Sequence, residues 1–424
     1  VAVLVGALAG GGAVVTALGS VLTLGGMLAC GPLVAGPVAG LLGAPLPRLG
    51  GIAGHLARDN ATRSPRRTAA TAAALMVGVA VVSLFTVFAG SLKSSIQDST
   101  GRGFGGELAI ATPGFGGGAL NPRLGERVAA LSEIGEAVGL GQGAARIAGS
   151  SEQLTIADPD ALARVADLDV SAGSLGGLGD RELAVSRSFA EDNGWRVGSR
   201  VPLTFADETR DAFTVGAIYD NEQLTGSVLM SRGAWAPHAS QDLDTVVFLS
   251  VADGVGVQVA RDAVQRAARA DGSPDVQTRA EFVAASAGGI DALLGIVYVL
   301  LLLAIVVALM GIANTLSLSI HERTRELGLL RAVGASRRQL RSMIRGESLV
   351  IAVFGTLGGL SLGVFLGWGL VRATADDAAL SAFSAPVGQL AVVLIAGAVA
   401  GMLASLRPAR RAARPDVLDA IASQ

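Results

Sequence analysis

Residues Ile290–Leu316 are twenty-seven consecutive positions with a single charge, Asp291. A bilayer core needs about 20 apolar residues to be crossed by a helix. Inside it every backbone N–H and C=O must be satisfied within the segment, so a run like this is dictated to be a membrane helix. Five further runs have the same character: Val1–Leu22, Leu24–Ala44, Thr68–Ala89, Ser348–Val371 and Val387–Leu406. The first two share one apolar block, and a turn between them is expected near Gly19-Ser20 or Gly25-Gly26. A chain that is 51% hydrophobic and 16% charged fits partial residence in lipid. The expected fold class is an α-helical polytopic membrane protein of about six transmembrane helices with a large extracytoplasmic mixed α+β domain.

Charge orients these spans. The segment 45–67 holds five arginines against Asp59, the segment 317–347 holds seven, and the tail 407–424 adds Arg407, Arg410, Arg411 and Arg414. These short stretches contain nearly half of the 33 basic residues, so all three belong on the cytoplasmic side. The region 90–289 then lies outside, and the short loop 372–386 with it. Residues 91–288 hold 26 acidic and 16 basic side chains, a balance that argues against nucleic acid as the outer partner.

The outer region has the patterning of a folded domain. Leu124–Val138 and Val255–Ala270 read as amphipathic helices. Glu182–Ser186, Arg200–Phe205, Ala212–Tyr219 and Thr245–Val251 read as strands bounded by Gly, Asp and Asn. Two subdomains are expected: a β-α-β part near 105–170 and 241–285, and a strand-rich part near 178–235 inserted into it. Gly101–Gly118 reads as a flexible exit from the span before it.

Between two spans lies the densest charge in the chain. Glu322, Arg323, Arg325 and Glu326 share one or two adjacent faces if the segment is helical. Gly328 and Gly334 permit close approach and a turn. Arg331, Arg337 and Arg338 continue the basic surface. Such a segment either only anchors the chain at the inner membrane face or presents fixed charges to a docking partner. The next span carries Gly355, Gly359, Gly363 and Gly367 at i+4 steps, and Gly397 and Gly401 repeat the step in the last span. Small residues at this spacing let helices touch, within the chain or at a seam with a second copy. Asp291 at the start of its span suits the positive end of the helix dipole. Asn314 is placed to hydrogen-bond between helices, and Glu347 opens the glycine-bearing span.

The run Ile312-Ala-Asn-Thr-Leu-Ser-Leu-Ser-Ile-His-Glu-Arg-Thr-Arg-Glu-Leu-Gly-Leu-Leu-Arg-Ala-Val-Gly-Ala-Ser-Arg-Arg-Gln-Leu, followed by Glu347-Ser-Leu, resembles the signature of the FtsX-like permease family. These are the transmembrane subunits of MacB- and Lol-type ABC transporters. His55–Thr71 and the tail from Arg407 to Ile421 resemble the same family's segments before its first core span and at its end. The two additional spans before residue 45, and a first residue that is Val rather than Met, resemble the C-terminal half of a duplicated permease. The resemblance implies a bacterial cytoplasmic-membrane protein that docks an ABC ATP-binding subunit through 317–347. It also implies a second permease half or protomer beside it in the bilayer. The family pattern places an acid at Glu347.

Neither cofactor nor catalytic centre is expected in this chain. The only lysine is Lys93, preceded by Leu92, so no Gly-Lys-Ser/Thr phosphate loop exists. ATP and Mg would be bound by the partner ATPase. His55, His238 and His321 are far apart, which disfavours a metal site. Asp158/Asp160 and Asp242/Asp244 read as turn or cap residues rather than ligands. The implied function is mechanotransmission, with ATP-driven movement of the outer domain exporting or extracting a lipid, lipoprotein, peptide or drug. The alternative is an FtsX-type regulator that activates a cell-wall hydrolase outside.

Overall fold

The structure, a computed structural model, describes residues 12–111, 119–239, 243–269, 274–322, 324–374 and 383–412. Among the described residues the first elements are α1 (Gly12–Leu42), α2 (Leu46–Arg63) and α3 (Pro65–Gly103). The outer part follows in the order β1 (Leu108–Ala111), α4 (Pro122–Ala129), β2 (Ile134–Ile147), β3 (Ser150–Ala157), α5 (Pro159–Val165), β4 (Val170–Gly173), β5 (Glu182–Ser186) and α6 (Arg187–Asn193). It continues with β6 (Arg200–Phe205), β7 (Arg210–Tyr219), β8 (Val228–Ser231), α7 (Arg232–Trp235), β9 (Asp244–Val251), α8 (Val257–Ala268), β10 (Asp275–Thr278) and α9 (Arg279–Ser286). Four further helices follow among the described residues: α10 (Gly288–Glu322), α11 (Thr324–Ala332), α12 (Arg337–Ala373) and α13 (Val387–Ala412). Residues 1–92 with 290–424 form one unit, and 93–289 form the other.

In the membrane unit, five helical stretches among the described residues are long and apolar enough to cross a bilayer: Ala29–Arg48, Pro65–Gly103, Gly288–Glu322, Arg337–Ala373 and Val387–Arg410. Before residue 45 this set holds one stretch, Ala29–Arg48, where two spans were expected. The turn expected near Gly19-Ser20 or Gly25-Gly26 does not occur, because α1 runs through both sites as one helix of 31 residues. Its two apolar halves carry no intervening charge or proline at those glycines, so nothing there ends the ladder. The first eleven residues of the expected span Val1–Leu22 lie outside the described residues. The other helices also outrun their apolar cores: α3 has 39 residues and continues to Gly103, where a flexible exit was expected. Of that exit, 112–118 lie outside the described residues, as do 375–382 of the short loop and 413–424 of the tail.

Helix α12 is the centre of this unit. Its Ala352 joins Leu75, Val79 and Val82 of α3, Val297, Leu301 and Ala308 of α10, and Val393 of α13 in one buried cluster. By contrast α10 exposes a broad apolar face that includes Leu293, Ile296, Val299, Leu302, Val306 and Met310. The basic helix α2 kinks at Gly51 (φ 55°) and is tied to α1 by Arg58 Nε, which donates to Gly40 O at 3.0 Å.

The outer domain follows the alternation of its strands. In the row β10-β1-β9-β2, Leu108, Ile110, Val247, Leu249 and Val276 face α4 and α8. Ala109, Phe248 and Val138 face the other way, onto Leu162 and Val165 of α5 and the Phe104 ring. A period of two separates the faces. Phe104 and Phe248 lie 4.6 Å apart, centroid to centroid.

Strand β2 is long enough to serve two subdomains. Its first half pairs with β9, and its second half pairs with β3 and β6. Together with β3–β8, β8–β5, β5–β7 and β7–β6, these pairings close a ring of six strands. Ile147, Leu154, Ile156, Val185, Leu203, Phe213, Val215 and Trp235 fill it. Closure removes free edges from this half of the domain. The β2–β3 turn takes Ala148 and Gly149 at φ 52° and 94°, the positive pair that a two-residue hairpin demands. The expected division places 105–170 wholly in the β-α-β part, but β3 and the end of β2 belong to the ring.

The strands expected at 182–186, 200–205, 212–219 and 245–251 are present as β5, β6, β7 and β9. The helix expected over Leu124–Val138 is not: α4 ends at Ala129 and β2 begins at Ile134. Gly135 and Gly139 weaken helix there. Gly139 lies against the Asp244 carboxylate, an approach that a side chain would block.

On the ring's rim, His238 stacks on Phe205 with centroids 3.7 Å apart, and its Nδ1 lies 3.0 Å from Asp207 Oδ2. That hydrogen bond, with the Thr209 backbone N–H, holds the Asp207 carboxyl below its ordinary range. Asp158 caps α5 by accepting from Asp160 N and Ala161 N, and Asp160 accepts from Gly177 N at 2.8 Å. Asp244 is buried and paired with Arg232, while Asp242 lies outside the described residues.

Candidate functional site

The charged segment between α10 and α12 folds as a defined hinge. Helix α11 stops in a two-bond motif: Ala335 N–H donates to Leu330 O (2.9 Å) and Gly334 N–H to Arg331 O (3.0 Å). Gly334 stands at φ +109°, the left-handed region that this stop requires and that a Cβ penalises. Two residues later α12 starts in a capping box. Ser336 Oγ accepts from Gln339 N–H at 3.2 Å, and Gln339 Oε1 accepts from Ser336 N–H at 2.8 Å. The Ser-x-x-Gln spacing that builds this box is a local sequence signal for a helix start.

Leu327 and Gly328 turn inward, Leu327 against Ala53 and Ala57 of α2, Ile312 and Leu316 of α10, and Leu340 and Met343 of α12. Glu322, Glu326, Gly334, Arg337 and Arg338 are exposed, and Arg331 is half-buried. Arg323 lies outside the described residues, as does the side chain of Arg325, so the sharing of a face by the 322–326 quartet is not described. Leu329 and Val333 add exposed apolar surface, Val333 at 84%. Two cavities flank the hinge. One, about 280 Å³, is lined by Ile52, Leu56, Val333 and Leu340 among others. The other, about 270 Å³, is lined by Asn60, Arg63, Ser319, Glu326, Leu330 and Glu347 among others.

Glu347 is buried at 5% exposure. Arg67, near the start of α3, donates from Nη2 to Glu347 Oε1 at 3.2 Å and from Nη1 to Ser319 Oγ of α10 at 2.7 Å. Three helices meet in this knot. In the sequence Arg67 reads only as one of several orienting arginines, because its partners lie about 250 and 280 positions away.

The glycine stripe of α12 lies against α3. A Cβ on Gly355 would sit 2.9 Å from Ala72 O, on Gly359 2.6 Å from Met76 O, and on Gly363 2.5 Å from Ala80 O. On Gly367 it would sit 2.9 Å from Val87 Cβ. On another side of α12, Gly397 and Gly401 of α13 abut Thr356 and Ala352. Asp291 is exposed in the first turn of α10. Asn314 makes no interhelical hydrogen bond among the described residues. It is exposed, because it stands about 200° around the helix from buried Ile312.

Hydrocarbon-length helices, a charged hinge between two of them and one large α/β domain define a multi-pass membrane protein with an extracytoplasmic domain. Residues 68–267 match the MacB-like periplasmic core domain, and 298–417 match the FtsX-like permease C-terminal region. The chain belongs to the FtsX/MacB-like family of ABC transporter permeases. An uncharacterized ABC transporter permease protein of Mycobacterium tuberculosis is 25% identical over 346 residues, covering 77% of this chain and 40% of that protein. A pyoverdine export ATP-binding/permease protein of Pseudomonas putida is 35% identical over 114 residues, 27% of this chain. The matched stretch spans only 16% of that relative's length. Among solved structures, the periplasmic region of MacB from Actinobacillus actinomycetemcomitans aligns with TM-score 0.33 and 12% identity, covering 42% of this chain and 91% of that one.

Proposed function

We propose that this chain is the transmembrane permease subunit of an ABC transporter in the bacterial cytoplasmic membrane. It couples ATP hydrolysis by a separate ATPase to movement of the outer domain. The observation that carries the reading is the hinge. Glu322, Glu326, Arg337 and Arg338 are exposed on it, while Leu327 and Gly328 root it in the helices beneath. A surface that is charged outside and fixed inside can take a push from a docked partner and pass it to α10 and α12. Those helices cross the ~30 Å hydrocarbon layer as continuous rods. The apolar outer face of α10 supports a second permease half or lipid beside it. Export as the direction of transport is supported by the similarity to the pyoverdine export protein of Pseudomonas putida.

The test is co-purification with candidate ATPases, followed by ATPase assays on Glu322→Ala and Glu326→Ala. The expected outcome is weaker assembly, about tenfold in affinity or 1.4 kcal/mol for the pair together, or lost stimulation of turnover. Unchanged assembly and turnover in both variants would remove the hinge from the mechanism.

A further inference from the structure

We infer that Arg67 is the positioning residue through which displacement of the hinge reaches α3. This deepens the mechanotransmission reading and rests on it. The peptide chain passes hinge motion directly into α10 and α12 only. Helix α3 has no peptide link to the hinge, so contacts must move it. The glycine seam holds α3 to α12 by close packing. Arg67 adds a directional bond to both hinge arms at once.

Ser319 lies three residues before the described end of α10, and Glu347 lies ten residues after the start of α12. Helix α11 and its turns stand between them. One planar guanidinium therefore spans the two arms, with Nη1 on Ser319 at 2.7 Å and Nη2 on Glu347 at 3.2 Å. A rigid fork cannot follow both partners if the arms spread or close. Hinge motion must break one bond or carry α3 along.

The surroundings argue for more than packing. A buried ion pair is weak evidence for stability, since apolar residues of similar volume often replace it without loss. Its best-attested use is to set a register or a switch. The 270 Å³ cavity beside the pair has Arg63 of α2 and Glu326 of α11 in its wall. A second cation and a second carboxylate thus border the space into which the pair would rearrange when α11 moves.

The test uses the complex with its co-purifying ATPase in lipid nanodiscs. Spin labels are placed at Val81→Cys of α3 and Val299→Cys of α10, both exposed sites, in a Cys30→Ser background. The distance between labels is compared in nucleotide-free and vanadate-trapped states. In Arg67→Gln, ATP turnover should stay within about twofold of the parent, while the nucleotide-driven distance change falls by about half or more. The swap Arg67→Glu with Glu347→Arg should restore it, since Ser319 Oγ can also donate to a carboxylate. A full distance change in Arg67→Gln, or a swap no better than the single variant, would overturn the inference. If Arg67→Gln does not assemble, Ser319→Ala and Glu347→Gln serve instead, and a full change in both overturns it equally. If the parent protein itself shows no change between states, the mechanotransmission reading fails first, and this inference falls with it.

Discussion

Gly363 faces Ala80 O and Ser83 Cβ, both 2.5 Å from where its own Cβ would stand. Nothing flexible can yield there, because one neighbour is backbone. Gly311 on α10 has open space within 4 Å. Gly363→Ala should therefore lower the thermal midpoint in detergent by the equivalent of about 1–3 kcal/mol of overpacking. Gly311→Ala should leave it unchanged or raise it slightly. Equal midpoints for the two variants would show that the seam is not tightly packed in the protein as isolated. The i+4 spacing of these glycines was legible in the sequence, since it needs only the helical period. Which helix they touch was not, because Ala72, Met76 and Ala80 are about 280 residues earlier. Asn314 shows the opposite limit: residue type suggested a bond, and the phase set by Ile312 and Leu316 turns it outward.

At the scale of elements, the hinge is a stop and a start two residues apart. Ser336→Ala removes the side chain that accepts from Gln339 N–H, and should cost about 1 kcal/mol of α12 initiation. Hydrogen exchange at residues 337–340 should quicken while exchange in the middle of α12 stays as it was. Gly334→Val should cost about 1–2 kcal/mol, the penalty for a side chain in the left-handed region. Uniform exchange across α12 in the Ser336 variant would contradict the capping assignment. Strands β5, β6, β7 and β9 could be read locally, because each is a short alternating run between turn residues. The run from Leu124 to Val138 misled: its apolar spacing fits a helix, but Gly135 and Gly139 serve a strand packed against Asp244. That pressure comes from residues more than a hundred positions away.

At the scale of the whole molecule, the prediction concerns compartments. With Cys30→Ser as background, Asp220→Cys should react with an impermeant maleimide on intact cells. Arg331→Cys should react only after permeabilisation. Both residues are at least partly accessible in the structure. Labelling of both under the same condition would invert or abolish the proposed topology.

Hydropathy by itself determined which segments of this chain can enter a bilayer and where along it the outer domain lies. Each of those follows from transfer energies summed over contiguous residues. The tertiary structure alone decided that α1 is one helix through both candidate turn sites and that six strands close into a ring. It also decided that Arg67, Ser319 and Glu347 meet. These depend on contacts between residues distant in the chain, and a local pattern carries no information about its remote partner.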